Sequence, residues 1–270
     1  MKPLFSVLFL LMAVVGQAQH TLVKIWESDT TLAIPESVLY EKDGLFVSLI
    51  DGAPWGADGK GEIARLNKNG KIVNAAWATG LNAPKGMGRW GTKLFVADIS
   101  EVAVIDAVTG KLESKIPVEG ATGLNDITVD SKGTVFISDS QLGNIYRITG
   151  GKAELYLSDL KGVNGLKAVL SDLYILTSKG VFKAGPDKKL VSVAPMEIGG
   201  DGIEPVGNGD FIVSCWVGLI YYLGKDGKMQ ILLDTRAEKK NTADIGYDPV
   251  GRIVYVPTFF KKSVVAYQLK

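Results

Sequence analysis

Six positions spaced about 41 residues apart hold the side chains of this sequence that are best suited to chemistry. In chain order they are Glu36, Lys85, Asn125, Asn164, Asp201 and Ala243. Carboxylate and amide carbonyl oxygens suit hard divalent ions such as calcium, magnesium or manganese, with water completing the coordination shell. A channel filled with water and lined by mutually hydrogen-bonded polar groups is the alternative that these residue types leave open.

The rare residues exclude several other chemistries. The chain of 270 residues has one histidine, His20, and one cysteine, Cys215. This composition argues against a histidine-based catalytic triad, a Cys–His dyad and a zinc site rich in these residues. Cys215 ends a strand-like run, so we expect it to be a small buried hydrophobe. The formal net charge of +1, from 30 basic and 29 acidic residues, argues against a nucleic-acid-binding surface.

Each of the six positions precedes a short β-rich segment, a second strand-like run, a turn and an outer strand. In the third repeat, for example, segments 135–138 and 144–148 follow Asn125. A period near 40 with about four strands per unit is typical of a propeller blade, so the sequence predicts an all-β, six-bladed β-propeller. The sixth repeat ends before its outer strand, and we expect segment 21–26 to supply that strand and close the ring. A two-sheet sandwich, the alternative, does not account for six equal repeats.

In a propeller the six positions would open the innermost strands and converge at one end of a central channel. We call them the ring positions, and that end of the channel the mouth. The longest insertion, 51–62, is rich in glycine and is expected on the face away from the mouth. Its spacing of Asp51 and Glu62 resembles a calcium loop, but Ala53 and Trp55 stand at two ligand places.

Residues 1–18 have the pattern of a secretory signal peptide. A basic start and about a dozen apolar residues precede a small-residue cleavage site at Ala18. A retained membrane anchor is the alternative, but the apolar stretch is shorter than the roughly 20 residues that span a bilayer. We therefore expect a cleaved signal peptide, a periplasmic or secreted protein without a stable membrane anchor, and a single propeller domain at 19–270. No oligomer interface is recognisable, so a monomer is expected.

Four short motifs at the ring positions resemble those of one family. They are Glu36-Ser37-Val38, Leu124-Asn125-Asp126, Val163-Asn164-Gly165-Leu166 and Gly200-Asp201-Gly202-Ile203. In this order they are similar to motifs of the gluconolactonase, regucalcin (senescence marker protein) and luciferin-regenerating group of six-bladed propellers. The resemblance implies that Glu36, Asn164 and Asp201 bind a divalent ion and that Asn125 lies toward the substrate. The sequence departs from the family at Gly123, where an arginine is common, at Lys85, and after Glu36, where the family has Gly-Pro.

The resemblance implies a metal-dependent hydrolase that opens a sugar-type lactone. A divalent cation, calcium first and magnesium or manganese as alternatives, would polarise the ester carbonyl, and Asp201 would act as the catalytic base. Asn125, Lys85 and Asp126 form the expected substrate-binding set for a small molecule or carbohydrate. Lys85 could either weaken metal binding or contact an anionic substrate. The alternative function is a non-catalytic binding module of the NHL type that holds a protein or carbohydrate, and the sequence leaves open whether the chain is an enzyme.

Overall fold

The computed structural model describes residues 19–270 and confirms the predicted fold. Within this range 24 strands form six four-stranded antiparallel sheets, and a three-residue 3-10 helix, Phe259–Lys261, is the one helical element. The predicted signal peptide lies outside the described residues. Among residues 19–270 no helix has the length and apolar character needed to cross a bilayer.

The blades follow one another along the chain, each with its innermost strand first. Blade 1 contains β2 (Pro35–Glu41), β3 (Gly44–Leu49), β4 (Gly61–Leu66) and β5 (Ile72–Leu81). Blade 2 contains β6 (Pro84–Trp90), β7 (Lys93–Asp98), β8 (Glu101–Asp106) and β9 (Leu112–Pro117). Blade 3 contains β10 (Leu124–Val129), β11 (Val135–Asp139), β12 (Asn144–Thr149) and β13 (Lys152–Leu157).

The second half of the ring repeats this pattern with shorter inner strands. Blade 4 contains β14 (Leu166–Val169), β15 (Asp172–Thr177), β16 (Gly180–Ala184) and β17 (Leu190–Pro195). Blade 5 contains β18 (Ile203–Gly207), β19 (Asp210–Cys215), β20 (Leu219–Leu223) and β21 (Met229–Asp234). Blade 6 contains β22 (Gly246–Asp248), β23 (Ile253–Pro257), β24 (Val264–Leu269) and, as its outer strand, β1 (Leu22–Glu27).

Blade 6 is completed by the start of the folded chain, as predicted. Strand β1 pairs antiparallel with β24, with Leu22 opposite Leu269 and Glu27 opposite Val265. At the inner side of the same junction, Ser37 of blade 1 and Asp244 form a parallel bridge. The Val38 N–H donates to the Asp244 carbonyl at 3.1 Å, and the Asp244 N–H donates to the Glu36 carbonyl at 3.0 Å. The ring is thus closed at the outer strand of blade 6 and also at the inner edge of this blade, where it meets blade 1.

The hydrophobic core lies between neighbouring sheets. Val104 of blade 2, for example, belongs to the same buried cluster as Ile127 and Tyr146 of blade 3. Trp26 of β1 covers Gly70 in a turn of blade 1, where a Cβ atom would lie 2.4 Å from the indole ring. Because Gly70 has φ of +81°, this turn both requires glycine and leaves room for the tryptophan. Sheet-to-sheet packing of this kind fixes each blade relative to the next.

Glu27 stabilises the closing strand through three side chains. Its carboxylate accepts hydrogen bonds from Lys24 at 2.7 Å, Ser263 at 2.8 Å and Lys240 at 3.0 Å. Burial disfavours the charged form, but these three donors outweigh it and lower the pKa of Glu27 to about 2. A lowered folded-state pKa means that this stabilisation is complete above the unfolded-state pKa and is lost as pH falls toward 2.

We expect Glu27→Gln to lower the free energy of unfolding by about 1 kcal/mol at pH 7, because charge-assisted hydrogen bonds that fasten β1 are lost. The difference from the wild type should shrink as pH falls below the unfolded-state pKa and should be small near pH 2, where about half of the folded wild-type carboxylate is protonated. Denaturant unfolding of both proteins between pH 2 and 7 measures this. Glu113→Gln, on an exposed outer-strand residue, is the control. An equal difference at all pH values would contradict the role of the charge.

Candidate functional site

The mouth brings the ring positions together in a largely buried setting. The side chains of Glu36, Lys85, Asn125 and Asp201 are all buried, and Asn164 is half-buried. The sixth position, Ala243, is buried in an apolar cluster with Phe259 and Ile50. The ring is therefore polar over five blades and apolar at blade 6.

Three buried serines orient the start of alternate inner strands. Each is the next-to-last residue of the second strand of its blade. Its hydroxyl oxygen accepts a hydrogen bond from the backbone N–H of the residue that follows a ring position. The donor–acceptor pairs are Ser37 to Ser48 at 3.0 Å, Asp126 to Ser138 at 2.9 Å and Gly202 to Ser214 at 2.9 Å. Sequence reasoning missed this role, although the serine recurs at the same place in the first, third and fifth repeats.

Asn164, Asp201 and Glu36 form the part of the mouth that could hold a cation. The Asn164 side-chain amide donates to one oxygen of Asp201. The other Asp201 oxygen, Oδ2, and Oε2 of Glu36 are buried without a hydrogen-bond partner among the described residues. A buried polar atom without a partner is costly, and for a carboxylate oxygen a cation removes that cost. The oxygen donors therefore fit a hard divalent ion.

Such an ion would depend on two carboxylates, an amide and water. No group of three or more His, Cys, Asp or Glu side chains within residues 19–270 is arranged to hold a metal. Since calcium accepts carboxylates, amide carbonyls and waters together, two acidic ligands are compatible with it.

The electrostatics of the mouth also favour an added positive charge. Burial raises the pKa of Asp201 to about 7, against the opposing effects of the Asn164 hydrogen bond and the charge of Lys85. Burial likewise raises the pKa of Glu36 well above its ordinary value; Lys85 opposes this, and Asp201 adds to it. The two carboxylates thus disfavour each other's charge, and a cation between them would relieve the repulsion.

Lys85 supplies part of that positive charge. Its ammonium group lies 4.2 Å from the centre of the Trp55 ring, in cation–π contact. None of the ion pairs among residues 19–270 includes Lys85, so its charge interacts with Glu36 and Asp201 without a direct ion pair. Burial lowers the pKa of Lys85, while the charges of Glu36 and Asp201 raise it. Lys85 reduces the net negative charge that any bound ion would meet.

The contact with Trp55 corrects the prediction for insertion 51–62. The insertion lies at the mouth, whereas the sequence predicts it on the opposite face. The reason is strand direction: β2 runs away from the mouth and β3 returns to it, so the β3–β4 connection emerges there. The second-to-third strand connections of all six blades share this face, and they form the rim of the site.

The two remaining predicted substrate residues differ in their surroundings. Asn125 is buried at the mouth. Asp126 points along the channel, where its carboxylate accepts the N–H groups of Leu166 and Ile127, both at 2.6 Å. Asp126 therefore connects blade 3 to blade 4, and a substrate contact at Asn125 or Asp126 stays a prediction.

A second polar layer lies deeper in the channel and was not predicted. Around a cavity of about 20 Å³, Lys167 and Glu204 form an ion pair at 2.6 Å, and the Ser37 hydroxyl donates to Asp244. A cavity of that size holds about one water molecule. Burial raises the pKa of Asp244 to about 8, although the bond from Ser37 opposes the shift. Ser37 and Asp244 directly follow ring positions in the sequence, as Asp126 does. The repeat that locates the ring positions therefore also locates these residues.

The single histidine and cysteine are not part of the ring. His20 precedes β1 on the outer edge of the propeller, where it stacks on Tyr222 with ring centres 3.8 Å apart. Cys215 is fully buried, and burial raises the pKa of its thiol to about 12. Its prediction as a small buried hydrophobe is confirmed, and a reactive thiolate is disfavoured.

Comparison with known proteins identifies the fold of the chain but not its chemical function. The sequence matches no protein-family model, and no curated protein is detectably similar to it in sequence. Among solved structures, a gluconolactonase-type protein from a structural genomics consortium has a TM-score of 0.69 and 14% identity, covering 94% of this chain and 93% of its own. A gluconolactonase from Xanthomonas campestris has a TM-score of 0.65 and 14% identity, covering 89% and 87%.

A third similar structure carries a different activity. It is a catalytically inactive histidine-to-alanine variant of virginiamycin B lyase from Staphylococcus aureus with quinupristin, with a TM-score of 0.64 and 14% identity, covering 93% of this chain and 99% of its own. At these identities the similarity establishes the six-bladed fold that the sequence motifs implied. One fold serves many chemistries, so function must be argued from the site.

The position of Lys85 leads to an electrostatic prediction. In EDTA, Lys85→Met should lower the free energy of unfolding by roughly 1–3 kcal/mol, because Glu36 and Asp201 lose the cation that faces them. Calcium should then raise the melting temperature of the variant more than that of the wild type, since the ion no longer meets a lysine. Thermal melts in EDTA and in calcium test this, with exposed Lys93→Met as the control. A variant as stable as the wild type in EDTA would contradict it.

Proposed function

We propose that this chain is an exported, metal-dependent hydrolase of the gluconolactonase type that opens a small lactone, with sugar-type lactones as the first class to test. The observation that carries the proposal is the pair of buried carboxylate oxygens without partners, on Glu36 and Asp201, beside the Asn164 amide. Glu36, Asn164 and Asp201 would hold the cation, with calcium as the first choice because it accepts this mixed oxygen set.

The reaction adds water to a cyclic ester. The bond between the carbonyl carbon and the ring oxygen breaks, the water oxygen bonds to that carbon, and the ring oxygen leaves as a hydroxyl, giving a hydroxy acid. When bound, the cation supplies polarisation of the ester carbonyl. Asp201 would take a proton from the attacking water and return it to the departing ring oxygen. Asn125 and Lys85, buried at the same mouth, would orient the substrate.

The placement of the histidine favours hydrolysis over a lyase reaction of the virginiamycin type. The structurally similar lyase is inactive when a histidine is replaced by alanine. The one histidine of the present chain, His20, stacks on Tyr222 at the outer edge of the propeller. The ring positions at the mouth hold carboxylates, amides and a lysine, and carboxylates and lysine can act as acid–base groups without an imidazole.

A non-catalytic binding module remains the second candidate, and one observation favours it. Lys85 already brings a positive charge to Glu36 and Asp201, so the mouth could remain folded without a metal. A propeller with such a ring could hold a carbohydrate or protein ligand on its rim without chemistry. Metal-dependent stability and lactone turnover separate the two candidates, since the binding module requires neither.

We expect Asp201→Asn to reduce lactone opening at least about 100-fold, because the side chain loses the ability to accept a proton. Turnover of δ-gluconolactone in a pH-stat, with calcium present, is the measurement. Glu113→Gln, on an outer strand, should retain wild-type turnover. Undiminished hydrolysis by the Asp201 variant would remove this residue from the mechanism.

Calcium should raise the melting temperature of the wild type, and EDTA should reverse the rise. A ligand bound only by the folded state adds about 2.7 kcal/mol of stability at 100 times its dissociation constant. Glu36→Gln should abolish most of this shift, because it removes one of the two carboxylates. If no divalent ion changes the melting temperature of the wild type, the metal-free binding module becomes the better explanation.

A further inference from the structure

Three exposed apolar side chains lie together on the rim of the mouth. Trp216 and Val217, in the β19–β20 connection of blade 5, are 40% and 42% exposed, and Phe260, in the β23–β24 connection of blade 6, is 57% exposed. Trp216 and Phe260 meet edge to face with ring centres 6.0 Å apart. We call these three residues the aromatic patch. Single exposed apolar residues are ordinary, but a contiguous group beside a polar site marks a binding surface.

The aromatic patch adjoins the residues proposed for chemistry. Trp216 follows Ser214 by two residues, and the Ser214 carbonyl accepts the backbone N–H of Asp201 at 2.7 Å. Phe259, which packs edge to face on Trp216 at 5.4 Å, belongs to the same buried cluster as Ala243, the apolar ring position. A ligand centred on Asp201 would therefore meet the patch on the side of the ring where blade 6 contributes no polar group.

The backbone beneath the patch is strained in a way that exposes Phe260. Phe259 has φ of +50°, a conformation that a bulky side chain rarely adopts, and its ring is buried. Burial of Phe259 holds this turn and leaves the next side chain, Phe260, facing solvent.

We propose that the aromatic patch binds an apolar substituent of the lactone, so that the substrate is an alkyl- or aryl-substituted lactone whose ester lies at the mouth. This inference rests on the proposed hydrolase function and narrows its substrate class. A standard protein–protein interface takes about 20 residues a side, far more than three side chains. Apart from the Trp216 indole N–H, the three side chains of the patch offer no polar group to the hydroxyls of a bare sugar ring.

Two lactones with the same ring provide the test. δ-Valerolactone is unsubstituted, and δ-decanolactone carries a pentyl chain on the identical ring. The wild type should prefer the substituted lactone by about tenfold or more in kcat/KM, as expected when an apolar group is buried on binding. Phe260→Ala and Trp216→Ala should bring this ratio close to one. The control is Leu170→Ala, since Leu170 is 92% exposed at the opposite end of the channel and its loss should leave the ratio unchanged.

The outcomes distinguish this inference from the proposed function. A wild-type ratio near one, or a ratio unaffected by Phe260→Ala, overturns the inference even if both lactones are opened. If only δ-gluconolactone is opened, the inference is overturned and the proposed function stands. If δ-gluconolactone and both of these lactones are left intact, the hydrolase proposal fails, and calorimetric dissociation constants for the two corresponding lactams still test the patch through the same ratio and the same variants. A wild-type dimer that Phe260→Ala converts to a monomer, seen by light scattering, would identify the patch as a self-association surface and also overturn the inference.

Discussion

Closure of the six sheets into one ring is the constraint on which the site depends. Glu36 and Asp201 come from blades 1 and 5, and both are buried with one carboxylate oxygen unpartnered. Two like charges would separate if the blades could move apart. Two connections prevent this. Strand β1, which leads along the chain into blade 1, pairs with β24 of blade 6, and the bridge between Ser37 and Asp244 joins the inner edges of these two blades. The polar mouth is thus maintained by packing and strand pairing elsewhere in the molecule.

The balance of charge at the mouth decides between catalysis and simple binding. Lys85 lies in a position to neutralise part of the charge of Glu36 and Asp201, and it is itself covered by Trp55. A divalent ion would favour the ionised forms of both carboxylates and would complement the negative charge that develops on a lactone carbonyl oxygen. Without the ion, the same residues form a neutralised channel mouth. Fold similarity cannot distinguish these states, since both use the same backbone.

The parts of the structure that repeat were predictable from the sequence, and the parts that do not repeat were not. The repeat period locates the ring positions and the closing strand β1, because every blade buries its sheet faces against its neighbours in the same way. The sequence does not predict the deeper layer with Lys167 and Glu204, although each lies three residues after a ring position, because their ion pair joins two different blades. The glycine-rich composition of insertion 51–62 predicts the wrong face, because the direction of the strands within the blade decides where the insertion emerges. The aromatic patch combines two unrelated connections, at Trp216 and Phe260, which no single repeat reveals.

The most direct measurement of the central claim is a crystal structure of the wild type grown with calcium, with anomalous data collected at long wavelength. We expect one strong anomalous peak at the mouth, about 2.4 Å from oxygen atoms of Glu36, Asn164 and Asp201. We also expect the Lys85 ammonium to remain against Trp55, outside the coordination shell. A map without a peak at the mouth, with the Lys85 ammonium hydrogen-bonded to both carboxylates, would contradict the metal site.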